Sequence, residues 1–161
     1  MEIIRRHAMR KSNFREMKEE FRKVVGEDVD RLFQKGAELI ITEESELYAE
    51  NKIVLAFKYK EKVLPSLQAL NKDLVKLPTI TVDMGAVPYV TNGADIMAPG
   101  ITKISEGLNA GDFIMIIDEK FGKALAVGQL LYNGKEIKEM KKGKAVKNIH
   151  FVNDEIWKLE L

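Results

Sequence analysis

Residues 79–101, TITVDMGAVPYVTNGADIMAPGI, constrain the fold of this 161-residue chain more than any other stretch. Ile80 and Val82 alternate with Thr79, Thr81 and Asp83, the period of two expected of a half-buried strand. Gly85-Ala86 follows, and Gly93-Ala94 comes eight residues later, bracketing Val87 to Asn92. A second apolar–polar run then stops at Pro99-Gly100. The order reads as strand, one or two tight helical turns, glycine corner, strand and sharp turn. Glycine tolerates positive φ and lets another backbone come close. A lone Gly-Ala pair is ordinary turn chemistry. Two pairs flanking a single helical turn, closed by Pro-Gly, mark a defined unit.

The length suits one domain or two small ones, each near the lower limit for an independent core. A hydrophobic content of 45% is ordinary for a globular chain. No apolar run reaches membrane-spanning length, and MEIIRRHAMRKSNF lacks the apolar region of a signal peptide, so a cytoplasmic protein with no membrane partner is expected. Zero cysteines exclude disulfides, thiolate metal sites and a cysteine nucleophile. The net charge is only +1, but residues 1–23 carry eight Lys/Arg against four Glu, and residues 135–147 carry six Lys against two Glu. Two blocks of +4 leave −7 on the remainder. Such asymmetry fits a local polyanion-binding face, and equally a pair of solvated lysine-rich surfaces.

Ser12 is placed to cap a helix on which Phe14, Met17, Phe21 and Val24 share one face, with Gly26 as its stop. Beyond Lys18 the polar side reads as a solvated, salt-bridged face, for example Glu19 with Lys23. Arg5, Arg6, Arg10 and Lys11 have no such partners nearby and are candidates for contact with RNA or a protein partner. Asp28–Gln34 reads as a second short helix; residues 39–42, 47–49 and 53–59 read as strands, the last two joined by a turn at Glu50-Asn51. Pro65-Ser66 starts a helix carrying Leu67 and Leu70. A boundary falls near Leu74–Pro78, giving a mixed α and β domain over 1–76 and a second domain over 77–161. The short linker, free of a Gly/Ser tract, suggests rigid packing of the two. After Ile101–Ile104, strands are expected at 113–117, 123–132, 149–152 and 156–159, with a helical turn at 136–140 and a basic loop at 141–144. Six or so short strands with one helical insert fit a small mixed barrel, an α+β chain overall.

No catalytic set emerges. His7 and His150 lie in different expected domains, and His150, between Ile149 and Phe151 on a strand, reads as structural. Metal-ligand spacings, a Gly-x-Ser-x-Gly elbow and phosphate or dinucleotide loops are all absent, so no cofactor or metal is implied. Asp112 and Asp118 read as strand caps. Binding is better supported than catalysis. The helix start at Gly85-Ala86 offers N–H groups to a phosphate, Gly93-Ala94 permits close approach, and Tyr89 offers a stacking surface. Lys141, Lys142, Lys144 and Lys147 supply positive charge just before the closing strands.

VDMGAVPYVTNGADIMAPGI resembles the first strand, helix and second strand of a PUA domain, the RNA-binding module of pseudouridine synthases and archaeosine transglycosylases. LPTITVDMGAVPYVTNGADIMAPGIT and KGKAVKNIHFVNDEIW are similar to the malignant-T-cell-amplified-sequence family of translation factors, in which an N-terminal domain precedes a PUA domain. The likeness is clear over the last half of the chain, which reads as an archaeal member. Met84 stands where animal members carry lysine, so one positive charge is missing there. The resemblance implies a PUA pseudobarrel, with an RNA groove at Gly85, Ala86, Tyr89, Asn92, Gly93, Ala94, Met97, Pro99 and Gly100. Residue type alone leaves core packing and contact both open for Tyr89 and Met97.

The same resemblance implies a non-enzymatic protein acting on the small ribosomal subunit at the tRNA acceptor end, in initiation, re-initiation or recycling. Its expected partners are tRNA or rRNA, and in the eukaryotic family a factor with a SUI-type start-site-selection domain. Alternatives are a targeting subunit for an RNA-modifying enzyme, an enzyme in its own right, and a protein adaptor working through Arg5, Arg6, Arg10 and Lys11.

Overall fold

The computed structural model describes residues 1–161, and the chain divides into two units, Met1–Lys76 with Glu155–Leu161, and Leu77–Asp154. The first unit is built on an antiparallel sheet in chain order: β1 (Ile3–Ala8), β2 (Glu38–Thr42), β3 (Glu46–Glu50), β4 (Ile53–Tyr59) and β5 (Lys62–Pro65). Helix α1 (Lys11–Val25) buries Met17, Phe21 and Val25. Phe21 and Phe14 both meet the Phe33 ring, at centroid distances of 6.3 and 6.4 Å. Burying each such side chain contributes roughly 1.5–3 kcal/mol. The β3–β4 turn is Asn51-Lys52, both at positive φ, the hand that matches strand twist. Ser66 caps the short α2 (Leu67–Asn71): its Oγ accepts from the Ala69 N–H and donates to the Val54 carbonyl at 2.7 Å.

Several sequence expectations need correcting here. Ser12 does not cap α1; the helix begins at Lys11 with Arg10 at its N-cap and no side-chain cap, because β1 feeds straight into it. Asp28–Gln34 is not a helix. A 3-10 turn occupies Gly26–Arg31, and Phe33 sits at φ 56° so that its ring enters the core. Strand β1 carries no alternating pattern because it is an edge strand exposed along most of its length. β5 is largely buried but only four residues long, too short to show a period of its own.

The second unit has a sheet in the order β7-β11-β10-β9-β6-β8, from β6 (Thr79–Val82), β7 (Ile96–Met97), β8 (Ile101–Ile104), β9 (Phe113–Asp118), β10 (Ala124–Leu130) and β11 (Lys144–Phe151). Between them lie α3 (Val87–Val90) and α4 (Gly134–Glu139). β6 and β9 run parallel; every other pair is antiparallel. The two edge strands, β7 and β8, are joined by only the 3-10 turn Ala98–Gly100. Six strands laid flat would hold their edges about 24 Å apart. The chain from Met97 to Ile101 reaches no more than ~14 Å. The sheet therefore curls into a PUA-type pseudobarrel, around Ile80, Ile96, Ile114, Ile116, Leu130 and Val146.

The expected closing strands at 149–152 and 156–159 are corrected: β11 is one strand from Lys144, and Glu155–Lys158 forms a turn of helix, α5. The break after Phe151 is set by Asp154, whose carboxylate accepts from the Phe151 N–H at 2.9 Å and ends the strand. Lys144 thus belongs to a strand and not to the basic loop.

At Gly128 the β10–β11 register shifts, and a Cβ there would meet Val146 Cγ1 at 2.7 Å and the Lys147 carbonyl at 2.8 Å. Gly128→Ala is therefore expected to cost about 1–3 kcal/mol, read as a lower urea midpoint with an unchanged slope. An unaltered midpoint would contradict the packing described.

Candidate nucleic-acid interface

Parallel pairing sets Val82 beside Asp118, so the turns that leave β6 and β9 emerge side by side. The turn after β6 is the Asp83–Ala86 corner. Asp83 Oδ1 accepts from the Ala86 N–H at 2.9 Å, and the Asp83 N–H donates to the Gly100 carbonyl at 2.9 Å. Glu119, just beyond β9, donates its N–H to the Val82 carbonyl and accepts the Met84 N–H through Oε1 at 3.3 Å. A Cβ on Gly100 would lie 3.3 Å from the Ala86 Cβ, so the two turns pack on each other.

Helix α3 is held by residues far away in sequence. Asn148 on β11 donates from Nδ2 to the Val90 and Ala94 carbonyls at 3.1 and 3.0 Å, and its own N–H reaches Asp95 Oδ1 at 2.9 Å. Gly93, at φ +90°, lies on the Phe151 ring, where a Cβ would come within 2.8 Å. Its missing side chain makes room for that ring and not for a ligand. Met97 stands opposite Lys144 on the β7–β11 pair. Lys144 Nζ is 3.4 Å from Asp95, and the Ala98 N–H donates to the Gly143 carbonyl at 2.8 Å. That last bond ties the Pro99 turn to the loop bearing Lys141 and Lys142.

The structure thus brings together most of the residues singled out in the sequence. Tyr89 is 70% exposed and Met97 46%, which rules out core packing for both. Gly85, Asn92, Ala94, Pro99, Lys141, Lys142, Lys144 and Lys147 are exposed, while Ala86, Gly93 and Gly100 are half-buried in the corners. Lys147 faces Gln129 of β10, across β11 from Met97's strand. One expectation fails at Ala86 and the first residue of α3: their N–H groups are not free for a phosphate. The Ala86 N–H is bound by Asp83 and the Val87 N–H by the Met84 carbonyl, and a carboxylate already stands where an anion would go.

The N-terminal cations belong to the other unit. Arg6 is not without a partner: Nε and Nη2 grip both oxygens of Glu38, at 3.1 and 2.8 Å, in a bidentate pair across β1 and β2. Arg5, Arg10 and Lys11 are exposed.

The residues that shape the interface from below, Asn148, Asp95, Glu119 and Phe151, gave no sequence signal, since their hydrogen bonds and packing reach partners 35 to 58 positions away. His150 is 1% exposed and places Nδ1 2.7 Å from Asp154, a structural pair. No cluster of three or more His, Asp or Glu side chains is placed to hold a metal ion, and no helix is long and apolar enough to cross a membrane.

Asp118 is buried and organises the loop after β9. Burial works against its charge, but the N–H groups of Phe121, Lys120, Lys123 and Gly122 outweigh it and hold the carboxyl below its usual range. The carboxylate's contribution to stability is therefore present above the ordinary aspartate value, ~3.9, and is lost as pH falls through the lower folded value. Wild type is expected to exceed Asp118→Asn in stability by a constant margin from pH 5 to 8, with the gap narrowing only below about pH 4; denaturant melts across that range check it.

Residues 78–152 match the family model of the PUA domain. An uncharacterised protein of Methanocaldococcus jannaschii is 41% identical over 159 residues, 98% of each chain. Translation machinery-associated protein 20 of Saccharomyces cerevisiae is 35% identical across 80% of this chain and 76% of its own. Malignant T-cell-amplified sequence 1-A of Xenopus laevis is 34% identical across 73% and 67%. Among solved structures, a hypothetical protein of Pyrococcus horikoshii superimposes with a TM-score of 0.79 at 35% identity, covering 95% of this chain and 98% of that one. A conserved PUA domain protein of Thermoplasma acidophilum gives 0.76 at 27%, covering 94% and 97%. With a curled PUA barrel and this level of identity across most of its length, the chain belongs to the family of Translation machinery-associated protein 20 and Malignant T-cell-amplified sequence 1.

Proposed function

We propose that this protein is a non-catalytic RNA-binding factor of the translation machinery, and that its PUA domain reads the acceptor end of a tRNA on the small ribosomal subunit. The observation that carries the reading is the exposed pair Tyr89 and Met97 on rigidly bonded corners, next to the Lys141–Lys144 segment. An aromatic face stacks an unpaired base, and lysines track the phosphates beside it. Lys144 must exchange Asp95 for phosphate to take part, which tempers its gain. The family names support the translation setting, and a cytoplasmic location follows from that setting. A SUI-type factor is the protein partner this reading expects.

Two tRNAs, whole and lacking the 3′-terminal CCA, distinguish an end-reader from a general clamp when each is titrated at two salt concentrations. Both affinities should fall with salt, and only the whole tRNA should bind tightly. Replacing Lys141, Lys142 and Lys147 with alanine should flatten the slope of log affinity against log salt by up to about 0.7–1 for each phosphate no longer neutralised. Co-sedimentation with small subunits should survive in wild type and weaken in that variant. Equal binding of the two tRNAs would remove the acceptor end from the proposal, and absence of any RNA or subunit binding at low salt would overturn it.

A further inference from the structure

Two exposed aromatics, Phe121 and Tyr132, lie outside the groove that runs along α3 and the glycine corners, and Phe121 is the more exposed. Phe121, in the loop between β9 and β10, is 66% exposed. Its neighbours in the loop are Glu119, Lys120, Gly122 and Lys123, all exposed, and Lys120 Nζ stands 5.3 Å from the centre of the Phe121 ring. An isolated aromatic ringed by charges does not make the broad apolar patch that a protein interface buries. One aromatic flanked by cations is the repeating unit by which proteins hold single-stranded RNA.

The loop is also ordered in advance. Asp118 Oδ1 accepts the N–H groups of Lys120, at 3.0 Å, and of Phe121, while the Asp118 carbonyl accepts from Gly122 at 3.1 Å. Gly122 turns the chain at φ +68°, a conformation other residues rarely adopt. At its base, Glu119 is bonded to both Val82 and Met84, so the loop is fastened to the corner that leads into α3 and Tyr89. A loop backbone already ordered costs little further ordering when a ligand lands on the ring it carries.

We infer that the Lys120–Lys123 loop is a second base-binding platform, on which Phe121 stacks an unpaired nucleobase while Lys120 and Lys123 meet the flanking phosphates. The inference rests on the RNA-binding reading and extends it. An RNA strand crossing the Asp83–Ala86 corner is received by an aromatic on each side, Tyr89 from α3 and Phe121 from the neighbouring loop. The site thereby takes a short single-stranded tail and not one terminal base. Glu119 keeps its negative charge while accepting the Met84 N–H, and Lys120 and Lys123 on the same loop outnumber it two to one.

The test uses the full chain and an RNA hairpin with a four-nucleotide 3′ tail, carrying 2-aminopurine in turn at each tail position. Stacking on an aromatic is worth about 1–3 kcal/mol per base, or ~5- to 150-fold in affinity. Wild type should quench the fluorophore at two separate tail positions. Phe121→Ala should lose about 5- to 150-fold in affinity and the quenching at one of them, and Tyr89→Ala should lose it at the other. Phe121→Trp should retain both, and thermal melts of all variants should match wild type, since both rings are exposed. Binding by Phe121→Ala within twofold of wild type, with both positions still quenched, would overturn the second platform while leaving the RNA-binding reading in place. Failure of wild type to bind the hairpin at low salt would overturn both.

Discussion

The three-residue link from Met97 to Ile101 is the constraint on which the PUA unit depends. It forces the two edges of a six-stranded sheet together, so that the turn between them closes the pseudobarrel. Beside this link, the β6–β8 pairing continues past Val82, so that Asp83 donates to the Gly100 carbonyl and Gly100 lies against Ala86. The β7–β11 pairing likewise continues past Met97, where Ala98 donates to the Gly143 carbonyl, which draws the lysine-bearing loop towards the glycine corners. A longer link would allow the same strands to pair, with Met97 still opposite Lys144, but would leave the Pro99 turn free to move away from both edges.

The carboxylates of the interface shape its turns. Asp118 is buried, Asp83 and Asp95 are half-buried and Glu119 is exposed, and each accepts backbone N–H groups. The lysines of the 141–147 segment stand exposed at the surface. A formal net charge near zero is compatible with a locally cationic face, because the potential a ligand meets depends on where the charges lie. Among these lysines, Lys144 pairs with Asp95, which makes it a group to be exchanged on binding.

Much of this is legible in the chain itself, and what is not has definite causes. The β6–α3–β7 segment can be read because its signals are local: alternation at Ile80 and Val82, then paired glycines, then Pro-Gly. Tyr89 and Met97 can be named but not assigned, since exposure depends on the partner surface and not on residue type. Gly93 stands out as a corner, but its need comes from Phe151, 58 residues on. The Ala86 N–H looks available although its acceptor, Asp83, is only three residues away, because residue order alone does not show that the carboxylate folds back onto the corner. Edge strand β1 and the helical turn at Glu155–Lys158 escape for a related reason: neither has a periodic face to display.

The claim at the centre is that RNA is received by the corners of the pseudobarrel and not by the N-terminal unit. Backbone amide chemical shifts of the 18.3 kDa protein, followed by NMR through a tRNA titration, address it directly. Shifts should gather at residues 83–100, 119–123 and 141–147, with residues 3–60 little changed. Shifts confined to β1 and α1, leaving Tyr89 and Met97 untouched, would contradict it.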